Sequence, residues 1–210
     1  MVYILDNLCT VTPELLERAK RDVSPQRLEY AARYRFFKDQ VQSVMVFLLL
    51  RYALKQEKGM DTMSILDYSG GKPVLTGEGQ PCFNLSHCRQ AVACGLSDSP
   101  LGVDVQDWMP RHLSVAKQVC SPEELAALEL SAEPEIEFAR LWTRKESYGK
   151  YTGRGILYPL QEINLWEKAP KGTVMETFTF PDFALSYCAE KKLEIRKLTI
   201  EELLQGREIE

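Results

Sequence analysis

The chain has 210 residues, of which 45% are hydrophobic and 27% charged, with 30 acidic against 26 basic side chains and a formal charge of −4. This length buries a core without disulfides, and the composition is that of an ordinary soluble globular protein. The acidic balance argues against nucleic acid as a partner, and the longest apolar run, Val44 to Leu50, is too short to span a bilayer.

Met1-Val2-Tyr3-Ile4-Leu5-Asp6 lacks the basic start and long apolar run of a signal peptide, so a cytoplasmic protein without a membrane partner is expected. Val2 to Leu5 reads as a short edge strand. Thr12-Pro13-Glu14 opens a helix to Lys20, and Ser24-Pro25 opens a second, with serine as cap and proline at the first position. Val41, Val44, Met45, Leu48, Leu49 and Tyr52 then recur at helical spacing. Val46, Phe47 and Leu50 make the other faces apolar too, so this helix is expected to be buried on nearly every side.

Gly70-Gly71-Lys72-Pro73 and Gly77-Glu78-Gly79-Gln80-Pro81 carry turn chemistry. Short strands are expected over Pro73 to Leu75, Phe83 to His87, Ala91 to Leu96 and Leu101 to Gln106. The last two are joined by a hairpin-like Ser97-Asp98-Ser99-Pro100. The second half restarts the pattern: Ser121-Pro122-Glu123-Glu124 is a capped helix start with a capping box, and a long helix follows from about Glu135 to Tyr151. Strands are expected near 162–166 and 173–180, and over Phe183-Ala184-Leu185-Ser186-Tyr187-Cys188. That hexapeptide repeats four of the six residues of Phe83-Asn84-Leu85-Ser86-His87-Cys88 at nearly the offset that separates the two Ser-Pro starts. An α+β fold of two similar αβ lobes is expected, residues 1–100 and 101–210, with a ligand cleft between them.

The six cysteines, Cys9, Cys82, Cys88, Cys94, Cys120 and Cys188, show no zinc spacing and only His87 and His112 could join them, so they read as reduced, mostly buried small hydrophobes. Chemistry concentrates elsewhere. In a helix over Leu141 to Lys150, Trp142, Glu146 and Lys150 share one face. A core indole beside a surface Glu146–Lys150 pair explains that face without any chemistry. In the strand Leu101-Gly102-Val103-Asp104-Val105-Gln106, alternation puts Gly102, Asp104 and Gln106 on one face. Asp104, flanked by valines, needs hydrogen-bond donors or a cation, unless it only closes the turn at Asp107-Trp108. If Asp104 and Glu146 meet, they form an all-oxygen site that suits magnesium, which takes one or two protein carboxylates and completes its shell with water and phosphate. Lys72, Arg27, Arg33 and His87 are candidate donors to the rest of a phosphorylated ligand; each is equally an ordinary surface cation or, for His87, a half-buried structural histidine.

Gly102-Val103-Asp104-Val105-Gln106, followed by Trp142-Thr143-Arg144-Lys145-Glu146-Ser147-Tyr148-Gly149-Lys150, resembles the paired signature of the 4'-phosphopantetheinyl transferases of the two-lobed Sfp type. Ser24-Pro25, Gly71-Lys72-Pro73 and Phe83-Asn84-Leu85-Ser86-His87 are similar to further motifs of that family, in the same order. The resemblance implies two lobes related by pseudo-twofold symmetry in a monomer, with coenzyme A and Mg2+ bound between them (Mn2+ as an alternative). It implies transfer of the phosphopantetheine arm of coenzyme A to a serine of an acyl or peptidyl carrier protein, releasing adenosine 3',5'-bisphosphate. By position, Asp104, Gln106 and Glu146 would hold the metal, and Glu146 would also be the base. Lys150 would stand at the pyrophosphate, Ser86 and His87 at the coenzyme A phosphates, Lys72 near the nucleotide and Arg27 at its 3'-phosphate, with Lys145 a further phosphate contact. Two residues depart from the family pattern. Gln106 replaces an acid, and Gln42 stands where an arginine is usual, so a non-catalytic coenzyme A or carrier-binding module of the same fold is the alternative.

Overall fold

A computed structural model describes residues 1–60, 66–67, 73–108, 110–155, 160–166 and 168–205. In chain order the elements are β1 (Val2–Leu5), α1 (Pro13–Lys20), α2 (Pro25–Ala32), α3 (Phe37–Lys58), β2 (Leu66–Asp67), β3 (Val74–Leu75), β4 (Cys82–His87), β5 (Val92–Ser97) and β6 (Leu101–Asp107). There follow α4 (Ala116–Val119), α5 (Pro122–Glu129), α6 (Pro134–Thr152), β7 (Val174–Thr179), β8 (Phe183–Ala189), β9 (Ile195–Leu198) and α7 (Ile200–Gln205). The chain divides into two units, Met1–Asp98 with Glu194–Glu210, and Ser99–Leu193. Among the described residues no helix is long and apolar enough to cross a membrane.

The local signals act as their chemistry dictates. Ser24 Oγ accepts from Arg27 N, and Thr12 caps α1 in the same way through Leu15 N. At α5, Ser121 Oγ accepts from Glu124 N while the Glu124 carboxylate accepts from Ser121 N, a complete capping box. In α3 every residue from Val41 to Leu50 is buried.

The first unit builds a sheet in the order β4-β5-β1-β9, with β1 antiparallel to β5 and parallel to β9. Here the structure corrects two expectations. β1 is an interior strand with all four residues buried, not an edge, and the second lobe does not run to residue 210. The cause is the same for both: Ile195–Leu198 returns to pair with β1, an association between chain ends that no local pattern encodes.

The second unit has an antiparallel sheet in the order β6-β8-β7. The expected hairpin between residues 91–96 and 101–106 is absent: β5 pairs with β4 and β1, whereas β6 pairs with β8. Turn residues at 97–100 suit a chain that changes sheet as well as one that folds back. The expected strand near 162–166 is also replaced, by a 3-10 turn at Leu160–Glu162 and an unpaired segment after it. The backbone of Leu165 is satisfied by side chains instead of a ladder, its N–H donating to Glu124 Oε1 at 2.7 Å and its carbonyl accepting from Arg144 Nε at 2.5 Å.

Each unit does contain a Ser-Pro-capped helix, a long helix and an antiparallel strand pair, in that order. The repeated hexapeptide, however, marks different strands. Phe83–Cys88 covers β4, the first strand of its pair and the end of its sheet, and Phe183–Cys188 covers β8, the second strand of its pair and the middle of its sheet. The match reflects a shared strand-core chemistry rather than equivalent positions.

Candidate active site

β6 and α6 are in close contact because of one residue. A Cβ on Gly102 would lie 1.9 Å from the Ser147 carbonyl oxygen and 2.6 Å from Tyr151 N, so only glycine lets the helix backbone touch the strand here. α6 then ends at Gly153, in the left-handed conformation with φ 72°. A hydroxyl ladder secures the helix further along the sheet: Thr143 Oγ1 lies 2.7 Å from Ser186 Oγ, which lies 2.9 Å from Thr177 Oγ1. Trp142 is half-buried in the core of this unit, 6.1 Å from the Phe138 ring.

This contact brings Asp104 of the strand to Glu146 and Lys150 of the helix, the three residues that the sequence placed on two separate elements. Asp104 is 6% exposed, and the Lys150 ammonium donates to its Oδ1 at 2.7 Å and to the Val103 carbonyl at 2.9 Å. Lys150 therefore bonds across to the strand, not back to Glu146 along the helix. Glu146 makes no hydrogen bond or ion pair among the described residues. Burial pushes its pKa up, and the negative charge of Asp104 adds to that, against the opposing pull of Lys150. Among the described residues two carboxylates thus face one ammonium, an excess of one negative charge in a half-buried site. That excess, together with the hard oxygen donors, fits a divalent cation of the magnesium kind. No group of three or more His, Cys, Asp and Glu that could hold a metal ion gathers among the described residues, so Asp104 and Glu146 are the two acidic donors here.

Gln106 is partly exposed, and its Nε2 donates to the Asp107 carboxylate at 2.8 Å and to the Asp107 carbonyl at 3.1 Å. Asp107 itself is buried, but strand alternation turns it to the face opposite Asp104.

Lys145 corrects an expectation. Its ammonium is buried, paired with Glu124 Oε2 at 2.8 Å and donating to the carbonyls of Leu160 and Ile163. All three donors are spent inside the fold, so Lys145 is a brace between α5, α6 and the 160s segment and not a phosphate contact. Lys145→Met leaves the buried Glu124 without its cation, and is expected to cost about 3 kcal/mol of stability, read as a fall in Tm.

The remaining candidates belong to the first unit. Arg27 is buried, its Nε and Nη2 donating to the Ser43 carbonyl at 3.1 and 2.9 Å. Gln42 Nε2 donates to the Cys88 carbonyl at 2.7 Å. Residues 42 and 43 of α3 thereby tie Arg27 to the end of β4, where Ser86 is buried and His87 exposed. Ser43 Oγ, in the same place, is buried without a hydrogen-bond partner among the described residues, a candidate contact that no motif announced. Lys72 lies outside the described residues. A cavity of 420 Å³ lined by Leu130, Arg140, Leu141, Arg144 and Trp166, among others, contains neither Asp104 nor Glu146 and is separate from this site.

The sequence profile of the 4'-phosphopantetheinyl transferase superfamily matches residues 100–200, the stretch that carries β6 and α6. The 4'-phosphopantetheinyl transferase gsp of Aneurinibacillus migulanus is 28% identical over 201 residues, 87% of this chain and 84% of its own. The Synechocystis protein slr0495, named in the same class, is 30% identical over 165 residues, 74% of this chain and 67% of its own. The chain belongs to the 4'-phosphopantetheinyl transferase superfamily. The 4'-phosphopantetheinyl transferase Sfp of Bacillus subtilis is also similar, at 28% identity over 71% of this chain and 68% of its own. Within the superfamily match lie Asp104, Gln106, Glu146 and Lys150, while Arg27, Ser86 and His87 fall outside it.

Proposed function

We propose that the protein transfers the 4'-phosphopantetheine arm of coenzyme A to a serine of an apo acyl or peptidyl carrier protein, in a Mg2+-dependent reaction. The observation that carries this reading is the meeting of Asp104, Glu146 and Lys150 at the β6–α6 contact in a member of this superfamily. Asp104 and Glu146, with the Gln106 amide oxygen, are the residues that would hold the metal. When bound, Mg2+ supplies positive charge to the non-bridging oxygens of the pyrophosphate.

The chain's own groups do the rest. Glu146 is half-buried and has a raised pKa, which suits a group that must take a proton from the carrier serine hydroxyl. The serine oxygen forms its bond to the phosphorus bearing the pantetheine arm as the bond from that phosphorus to the bridging oxygen breaks. Adenosine 3',5'-bisphosphate leaves with the bridging oxygen. Lys150 uses two of its three donors on Asp104 and Val103, and the third serves the leaving phosphate. Ser86, His87, Lys72 and Arg27 are proposed to bind the nucleotide end of coenzyme A. A monomeric cytoplasmic protein completes the reading.

The test is mass spectrometric: an apo carrier incubated with the protein, coenzyme A and Mg2+ gains the phosphopantetheine mass. Retained coenzyme A binding with no gain on any of a panel of acyl and peptidyl carriers would instead support a non-catalytic module. Gln106→Glu restores a charge on the face shared with Asp104, so it is expected to lower the Mg2+ concentration for half-maximal rate by about tenfold. An equal or higher requirement would remove Gln106 from the metal's surroundings.

A further inference from the structure

Three of the five exposed large apolar side chains among the described residues fall between Tyr30 and Phe37: Tyr30 is 40% exposed, Phe36 58% and Phe37 43%. Charge is distributed unusually in the same place. From Arg27 to Asp39 there are four basic residues and two acidic ones, in a chain whose net charge is −4. The cations lie against the rings. Arg35 and Lys38 approach the Phe36 ring to 5.7 and 5.8 Å, and Arg27 sits 4.7 Å from the centre of Tyr30, whose edge meets Tyr34 at 5.7 Å. Phe36 is also the N-cap of α3 and offers no side-chain acceptor, so the positive end of a 22-residue helix opens into this patch.

Exposed aromatic rings rimmed by arginine and lysine are the composition of a protein-docking hot spot. Small-ligand sites are concave and bury most of their ligand, whereas these rings stand out from a helix junction. We infer that the α2–α3 junction, centred on Phe36, Phe37, Arg35 and Lys38, is the surface on which the carrier protein docks, through a carrier face that presents carboxylates around an apolar side chain. This assignment rests on the transferase reading and names the surface by which its protein substrate is held.

The experiment measures transfer while carrier and coenzyme A are varied independently, for the wild type and for Phe36→Ser and Arg35→Glu. Both side chains are exposed, so Tm is expected to stay unchanged in Arg35→Glu and to hold or rise in Phe36→Ser, where serine supplies the acceptor that the N-cap of α3 lacks. The expected result is a rise of about tenfold in KM for the carrier in each variant, with KM for coenzyme A held within about twofold. Raising the salt concentration increases KM for the carrier in the wild type and does so less in Arg35→Glu. An acid-to-lysine change on the carrier face restores part of the Arg35→Glu loss. A carrier KM that stays at the wild-type value overturns the assignment, and so does a coenzyme A KM that rises in step, which would give the patch to the nucleotide. If the wild type itself modifies no carrier, the transferase reading fails and this assignment falls with it, an outcome separate from failure of the variants alone.

Discussion

Glu146→Gln is expected to lower kcat for carrier modification by about 10²–10⁴-fold while leaving the fold intact or more stable. The amide keeps the size of the side chain and removes both its basicity and its charge as a metal ligand. The stability half of the result follows from the sign of the shift. Burial and Asp104 raise the Glu146 pKa in the folded protein above its ordinary value of 4.5. Below that value the group is protonated in both states and has no effect. As pH rises, the unfolded chain ionises first, so a penalty on the native state develops between the two pKa values and is full above the folded one. In the presence of a chelator, Tm of Glu146→Gln is therefore expected to match the wild type in acid and to exceed it near neutral pH. Added Mg2+ should stabilise the wild type and not the variant. A variant that keeps wild-type kcat would remove Glu146 from the role of base, and one that melts lower at neutral pH would show that the carboxylate is compensated in the native state.

Gly102→Val is expected to cost more than about 3 kcal/mol, and to abolish transfer in whatever fraction remains folded. The new Cβ would stand 1.9 Å from the Ser147 carbonyl oxygen, and backbone cannot swing aside as a flexible side chain can. α6 must leave β6, and with it Glu146 and Lys150 leave Asp104. Circular dichroism melting and the carrier assay together decide the matter. Wild-type Tm and rate would mean that the helix does not need this close approach. Loss of rate at wild-type Tm would mean that α6 shifts without cost to the fold.

These two residues stand at opposite ends of what a sequence discloses. Glu146 was legible because its chemistry is local: a carboxylate four residues before a lysine, on a helix that also carries Trp142. Its counterpart Asp104 was legible as a carboxylate between valines that needs a partner. Gly102 was legible only as a residue on the Asp104 face. That a helix backbone rests on it is a fact of packing, although a glycine inside an apolar strand is a known sign of close approach. Lys145 shows the reverse failure. Its place within the motif suggested a phosphate contact, but the capping-box residue Glu124, 21 positions earlier, takes its charge at 2.8 Å in the core.

What the sequence determined by itself is therefore whatever depends on neighbours along the chain. Ser24-Pro25 and Ser121-Pro122 start helices because cap and first turn lie within four residues. Val41 to Leu50 is buried because it has no polar face to offer water. Tertiary structure alone decided the partners of strands and charges. β1 lies inside its sheet because β9 arrives from the far end of the chain; β5 and β6 separate despite a turn between them; Lys150 answers Asp104 instead of Glu146. Each of these is a choice among chemically similar partners, and it is settled by how much apolar surface each pairing buries across the whole fold, a quantity that no short window of sequence contains.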